Sequence, residues 1–372
     1  MSTRLQLVVD PIAAATTGPL VRYTTDLARA LVATAPPRCS VEGIVSAVSG
    51  RDLRHVRTTV PGLDELTSTT LQRRELAAAW QLGIGGPGGM LHSPNLLAPL
   101  KRHDRTLDGT QVVVTVHDVF AWTDPQRLGS VQVAWQRAAL RRASKHADAV
   151  VVPSHALAER LAEFADFGDR VRVIGDAPRS GLAVPPDPAR VRAAHGLHEG
   201  AYVVAAVPPG DESVALLQAA LDLPEARGID LVVVAPATPA ADGEDDAAAP
   251  AAVRTRIVAE PGPADLAALL AGAIAFVDLR ADAQDATAAI EALSLGVPVV
   301  HAGAPVHHEA TADASVPVDV STRSVAAAAD AIARLGSDPA LRQSLAIAGT
   351  DRARMFTWQD VGERVWQLHA DL

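Results

Sequence analysis

The sequence predicts an α/β protein made of two doubly wound halves in tandem. Three observations carry this expectation. Short β-branched and apolar runs alternate with longer Ala-rich helical segments. Several of those runs are continuously apolar, the pattern of parallel strands buried on both faces. The rhythm breaks across a Pro- and Gly-rich stretch at 175–200 and then restarts.

In the first half, strands are expected at 5–9, 41–48, 90–92, 112–117 and 149–153, with helices at 20–32, 131–145 and 156–164. The stretch 175–200 carries Pro178, Pro185, Pro186 and Pro188 and reads as the interdomain connection. In the second half, strands are expected at 202–207, 231–235, 256–258, 273–277 and 297–301. Helices are expected at 212–221, 264–270, 287–294 and 324–335. The helix at 324–335 follows Ser321 and Thr322, places Val325, Ala328, Ala329 and Ile332 on one face, and has Gly336 past its end. Two segments read as loops: the acidic, Pro-punctuated 236–252 and the Gly-rich 82–89, whose glycines do not fit a dinucleotide fingerprint.

The 372 residues suit two domains of about 150–200 residues each. Hydrophobic residues make up 48%, enough for substantial cores, but aromatics only 3%, so Ala, Val and Leu must fill them. A single cysteine, Cys39, excludes an intrachain disulfide framework and a cysteine-based zinc site. No metal site or cofactor is expected. The net charge of −10 argues against nucleic-acid binding, since a phosphate backbone would be repelled overall. Lysine occurs only at Lys101 and Lys145, which reads as codon bias toward arginine. No signal peptide, transmembrane run or polybasic amphipathic helix is evident, so the default location is the cytoplasm.

Open parallel sheets bind ligands beyond the C-terminal ends of their strands. That rule selects Asp10 after the first strand, the Thr16-Thr17-Gly18 loop, His92-Ser93-Pro94, His117-Asp118 and Pro153-Ser154-His155. Helix capping competes with function in each case, and for Ser154 the N-cap role is favoured. His117, a polar residue ending an apolar run, is equally suited to a structural or a functional role. In the second half Glu291 lies about one turn before the end of its helix, flanked by Ile290, Ala292 and Leu293. A carboxylate there needs a partner or a ligand if its face is buried, and vicinal ribose hydroxyls suit it. The alternative is an exposed helix glutamate.

The chain resembles the family 4 glycosyltransferases of the GT-B fold over nearly its whole length. The pieces that carry the resemblance are Gly18-Pro-Leu-Val-Arg-Tyr-Thr24, His92-Ser-Pro94, Val114-Thr-Val-His-Asp-Val119, Ala147-Asp-Ala-Val-Val-Val-Pro-Ser154, Arg170-Val-Arg-Val-Ile174, Ile290-Glu-Ala-Leu-Ser-Leu-Gly-Val-Pro-Val-Val300 and Glu309-Ala-Thr-Ala-Asp313. The resemblance implies two Rossmann-like domains facing a cleft. Residues 1–178 would form the acceptor domain, 179–355 the nucleotide-sugar domain, and 356–372 a helix returning to the first. It implies a retaining transferase that moves a hexose from a nucleotide-sugar to a carbohydrate or lipid-linked hydroxyl acceptor, in cell-surface glycan synthesis. His117 would be catalytic, touching the transferred sugar. Gly18, Asp118, Arg280 and Glu291 would bind substrate, with Glu291 on the nucleotide ribose and Gly18 admitting the donor phosphates.

The sequence also departs from the family. The first of its two glutamates, seven residues before the second, would fall at Ala283, with Asp282 and Asp285 nearby. The Arg and Lys that neutralise the donor diphosphate are missing from 207–214, where Asp211 and Glu212 stand instead, and Leu279-Arg280 replaces the usual Pro-Ser. Departure of a diphosphate builds negative charge, and losing one donor to it costs about 10²–10³ in rate. Arg280 and the helix N-terminus after Gly210 are the candidate replacements, although Arg280 has Asp278, Asp282 and Asp285 as competing partners. A catalytically degenerate relative serving as a binding or partner module is the alternative function. A nucleotide-sugar epimerase of the same fold is a third.

Overall fold

The computed structural model describes residues 3–14, 18–208, 211–235, 254–319 and 325–372. The loop expected at 236–252, the start of the helix expected at 324–335, and Thr16, Thr17 and Gly210 lie outside them. The chain divides into two compact units, Met1–Asp176 with Thr357–Leu372, and Ala177–Phe356.

The first unit holds β1 (Thr3–Val8), β2 (Cys39–Val45), β3 (Glu65–Ser68), β4 (Met90–Ser93), β5 (Gln111–Thr115), β6 (Ala149–Val152) and β7 (Val171–Val173). They form one parallel sheet in the order β3-β2-β1-β4-β5-β6-β7. β4, β5 and β6 are mostly or wholly buried, as their apolar runs require, and β1 is buried at Leu5, Leu7 and Val8. One face packs Leu5, Leu7, Leu27 and Leu31; the other packs Trp80, Leu91, Val114 and Leu140.

Helix Trp358–Asp371 closes the first of these layers with Val361, Val365 and Trp366. Trp366 Nε1 donates to Leu31 O at 3.0 Å. The approach to helix Pro19–Ala33 is close enough to need a glycine: a Cβ on Gly362 would lie 2.5 Å from Thr34 Oγ1 and 3.0 Å from the Ala30 backbone.

The second unit holds β8 (Tyr202–Ala206), β9 (Asp230–Ala235), β10 (Thr255–Ala259), β11 (Phe276–Asp278), β12 (Val299–His301) and β13 (Ser315–Pro317). Its parallel sheet runs β10-β9-β8-β11-β12-β13. Strand order reverses between β1 and β4 in one unit and between β8 and β11 in the other, the signature of a doubly wound Rossmann-like sheet. The stretch after Asp176 carries helix Pro188–Ala194, anchored by buried Arg192 on Glu199 at 2.6 Å.

Three strands escape the sequence pattern. β3, β7 and β13 are the edge strands of their sheets at three of the four edges, and each has four residues or fewer with little burial. A short edge strand has neither the length nor the double-sided burial that produces an apolar run.

Candidate functional site

Within the first unit, the strand-end residues gather at the C-terminal edge of its sheet. Asp10, directly beyond β1, is buried; its Oδ1 accepts from Ser46 N at 2.9 Å, and Arg73 Nε lies 3.1 Å from Oδ2. His117 follows β5. Its Nε2 is 2.8 Å from Pro94 O, and since a carbonyl only accepts, Nε2 carries the proton. The imidazole edge meets Tyr23 with ring centroids 4.4 Å apart, and Tyr23 in turn abuts Trp358 at 5.7 Å. Burial and the nearby Asp176 push the Tyr23 phenol well up, so it stays neutral. The His117 ring is therefore fixed by a carbonyl and a buried aromatic.

Asp118 turns its Oδ1 onto Phe120 N at 3.1 Å, opening the short helix Phe120–Thr123. Ser154 caps helix His155–Ala162 by accepting from Leu157 N at 3.0 Å. Gly18 is the N-cap of helix Pro19–Ala33 with φ 128°, a conformation that favours glycine, and open space surrounds its missing Cβ.

In the second unit Glu291 is buried, with 1% of its surface exposed, and it has a partner. Arg179 grips it: Nε–H donates to Oε1 at 2.7 Å, Nη2–H to Oε2 at 2.9 Å, and the Arg179 backbone N–H to Oε1 at 3.2 Å. The fork-on-carboxylate geometry is the strong form of such a pair. Most of the acceptor capacity that ribose hydroxyls would use is thus occupied.

Arg280 is likewise engaged. Its Nε and backbone N donate to Asp278 Oδ1 at 2.9 and 3.0 Å, and its Nη2 to Oδ2 at 2.5 Å. His307 Nε2 lies 3.3 Å from the same Oδ2. Burial works to raise the Asp278 carboxyl, but hydrogen bonds from His307 and Arg280, with their charge, outweigh it and hold it well below the usual range. Asp278 is therefore ionised and neutralises the guanidinium beside it.

His301, at the end of β12, accepts from Gly303 N through Nδ1 at 3.1 Å, so its Nε2 donates to Ser315 Oγ, also at 3.1 Å. Burial, then His307 and His308, push its pKa down to about 4. The helix N-terminus after residue 210 is also occupied. Asp211 is the N-cap of helix Glu212–Asp222 and accepts from Ser213 N at 3.0 Å and Ser213 Oγ at 2.6 Å. Ala283 is buried where the resemblance would put a glutamate. Among the described residues no group of three or more His, Cys, Asp or Glu could hold a metal ion.

Sequence reasoning did not select Arg179, Arg73 as the partner of Asp10, or the His301–His307 pair as site features. Arg179 stands 112 residues from Glu291 in a proline-rich stretch, so no local spacing marks it. His301 did carry a signal, since it ends an apolar strand run just as His117 does.

This two-unit arrangement is the GT-B glycosyltransferase fold. Sucrose-phosphate synthase from Thermosynechococcus elongatus superposes with a TM-score of 0.65 at 19% identity, covering 99% of this chain and 98% of that one. HepE from Anabaena, solved with UDP and glucose, gives 0.70 at 14% identity over the whole of both chains. WaaG, a glycosyltransferase involved in lipopolysaccharide biosynthesis, gives 0.63 at 14% identity, covering 97% and 98%. No curated protein matches the chain. Residues 20–176 match the model of Glycosyltransferase Family 4.

Proposed function

We propose that the chain is a glycosyltransferase that moves a hexose from a nucleotide-sugar to a hydroxyl acceptor with retention, in cell-surface glycan synthesis. The observation that supports it is His117. It follows β5 inside the matched region, Pro94 O and Tyr23 hold its ring, and the family resemblance implies that this histidine touches the transferred sugar. In the reaction the bond from the anomeric carbon to the diphosphate breaks and its electron pair leaves with the nucleoside diphosphate. The acceptor oxygen bonds that carbon on the same face, and its proton passes to the departing phosphate. Glu291 would hold the ribose once Arg179 gives way, and Gly18 would let the backbone approach the phosphates.

One finding favours a second reading, a degenerate transferase kept as a binding module. Glu291 and Arg280 are both held in ion pairs within their own unit, and Asp211 caps the helix that an anion would use. Calorimetric titration with UDP, GDP and their sugars separates the two. Because HepE was solved with UDP and glucose, UDP-glucose is the first donor to test. Binding followed by donor turnover that is lost in His117→Ala supports the transferase. Absence of binding to every nucleotide rejects it in favour of the second reading.

A further inference from the structure

We infer, resting on the transferase reading in which Glu291 holds the donor ribose, that Arg179 is the cation that binds the donor diphosphate. The ribose hydroxyls displace its guanidinium from Glu291, and the freed group turns to the phosphates. One arginine then closes the site to a nucleoside and opens it to a nucleoside diphosphate.

The acceptor capacity of Glu291 requires the displacement. An ionised carboxylate offers about four acceptor positions. Three are taken, by the Nε–H, Nη2–H and backbone N–H of Arg179. One is left, and two vicinal hydroxyls need two. The Glu291 side chain is 1% exposed and that of Arg179 12%, so the guanidinium is the member of the pair nearer to solvent. Once the fork leaves, two hydroxyls and the retained backbone N–H give the buried carboxylate three hydrogen bonds again.

The backbone at Arg179 is fixed while its side chain is not. Leu182 N donates to Arg179 O at 3.2 Å, and Gly181 turns the chain in the left-handed conformation with φ 79°. The Arg179 N–H bond to Glu291 holds the same turn from the other side. A guanidinium displaced from Glu291 therefore stays tethered beside the ribose, and the diphosphate is bonded to that sugar.

Other candidates in the second unit are committed. The segment 207–214 has no Arg or Lys. Arg280 donates to both oxygens of Asp278, and Asp211 caps helix Glu212–Asp222. Donor binding takes away the partner of Arg179 and leaves those of Arg280 and the helix in place. A phosphate accepts the guanidinium fork with the bidentate geometry of the carboxylate it left. A nucleoside offers no such replacement, and the displaced charge would go unpaired.

The test is calorimetric titration of the whole chain with UDP and uridine, and with GDP and guanosine. Wild type should prefer a diphosphate over its nucleoside by at least about a hundred-fold. In Arg179→Gln the nucleoside should bind no more weakly than to wild type. The preference should fall roughly ten- to hundred-fold, as expected for loss of one charged hydrogen bond. Arg179→Lys keeps the charge and should retain more of the preference than Arg179→Gln. Protection from hydrogen exchange along β8 shows whether the variants keep the second unit folded. Equal affinity of wild type for a diphosphate and its nucleoside overturns the inference without any variant. A preference unchanged in Arg179→Gln, or lost equally in both variants, overturns it alone and leaves the transferase reading standing. Binding of no nucleotide by wild type overturns both.

Discussion

The ion pair between Arg179 and Glu291 offers the sharpest test of how the second unit is held. Arg179→Ala would leave a buried carboxylate that has lost two of its three hydrogen bonds and the guanidinium paired with it. Breaking a buried pair from one side costs about 3–5 kcal/mol, because the remaining charge is stranded out of water. Adding Glu291→Gln should recover a large part of that loss, since a neutral amide replaces the stranded charge. The choice of assay follows from the sequence. All five tryptophans, Trp80, Trp122, Trp135, Trp358 and Trp366, lie in the first unit, so their emission does not report on the second. Hydrogen exchange along helix Thr287–Ser294 does. Protection there should fall roughly a hundred-fold or more in Arg179→Ala, while the tryptophan-monitored transition stays put. Exchange within about five-fold of wild type, or a double variant less protected than Arg179→Ala, would refute the reasoning.

Other outcomes follow from the same geometry. His369 is pushed down to about 4 by burial, and His92, buried against it with ring centroids 5.6 Å apart, is pushed down by burial and then by His369. Both are neutral in the folded unit but take protons in the unfolded chain below about 6.5. The first unit should therefore keep its full stability above pH 6.5 and lose it as pH falls toward 4; a tryptophan-monitored melt flat across that window would contradict this. Gly362→Ala forces a Cβ against Thr34 Oγ1 and the Ala30 backbone, and should destabilise helix Trp358–Asp371 by about 1–3 kcal/mol, read as faster proteolysis near Thr357. If donor is turned over, His117→Ala should lower kcat by roughly 10²-fold or more with the melting temperature unchanged, because the ring is half-buried. Arg280→Ala should leave turnover as it was, since Asp278 already neutralises that guanidinium; a large fall would show that donor binding breaks the pair.

Much of the architecture was legible because it is built from doubly buried strands. The runs around Val114, Val151, Val204 and Val233 could be read directly, and each is a central strand. β3, with Leu66 as its one buried side chain, could not be distinguished from a loop. The site was legible in part. The strand-end rule selected Asp10, His92 and His117, and the apolar flanks of Glu291 asked for a partner or a ligand if its face were buried, which it is. The partner itself was not legible, because Arg179 reaches Glu291 through the tertiary fold. Nor does local charge show which acid takes Arg280. Asp278, Asp282 and Asp285 are equally plausible in sequence, and Asp278 wins because both its oxygens meet the guanidinium fork from two residues away.

The helix at Trp358–Asp371 has a consequence for how the chain comes off the ribosome. The layer of the first unit that holds Leu27 and Leu31 is sealed by residues synthesised only after 177–356 have been made. At about 5–20 residues per second, that interval lasts roughly ten to forty seconds. Throughout it a strip of apolar surface on helix Pro19–Ala33 stays uncovered, while the second unit has every residue it needs to fold. The later-made unit can thus finish first, and the nascent first unit is exposed to chaperones, or to the same strip on a neighbouring polysome, until its closing segment emerges.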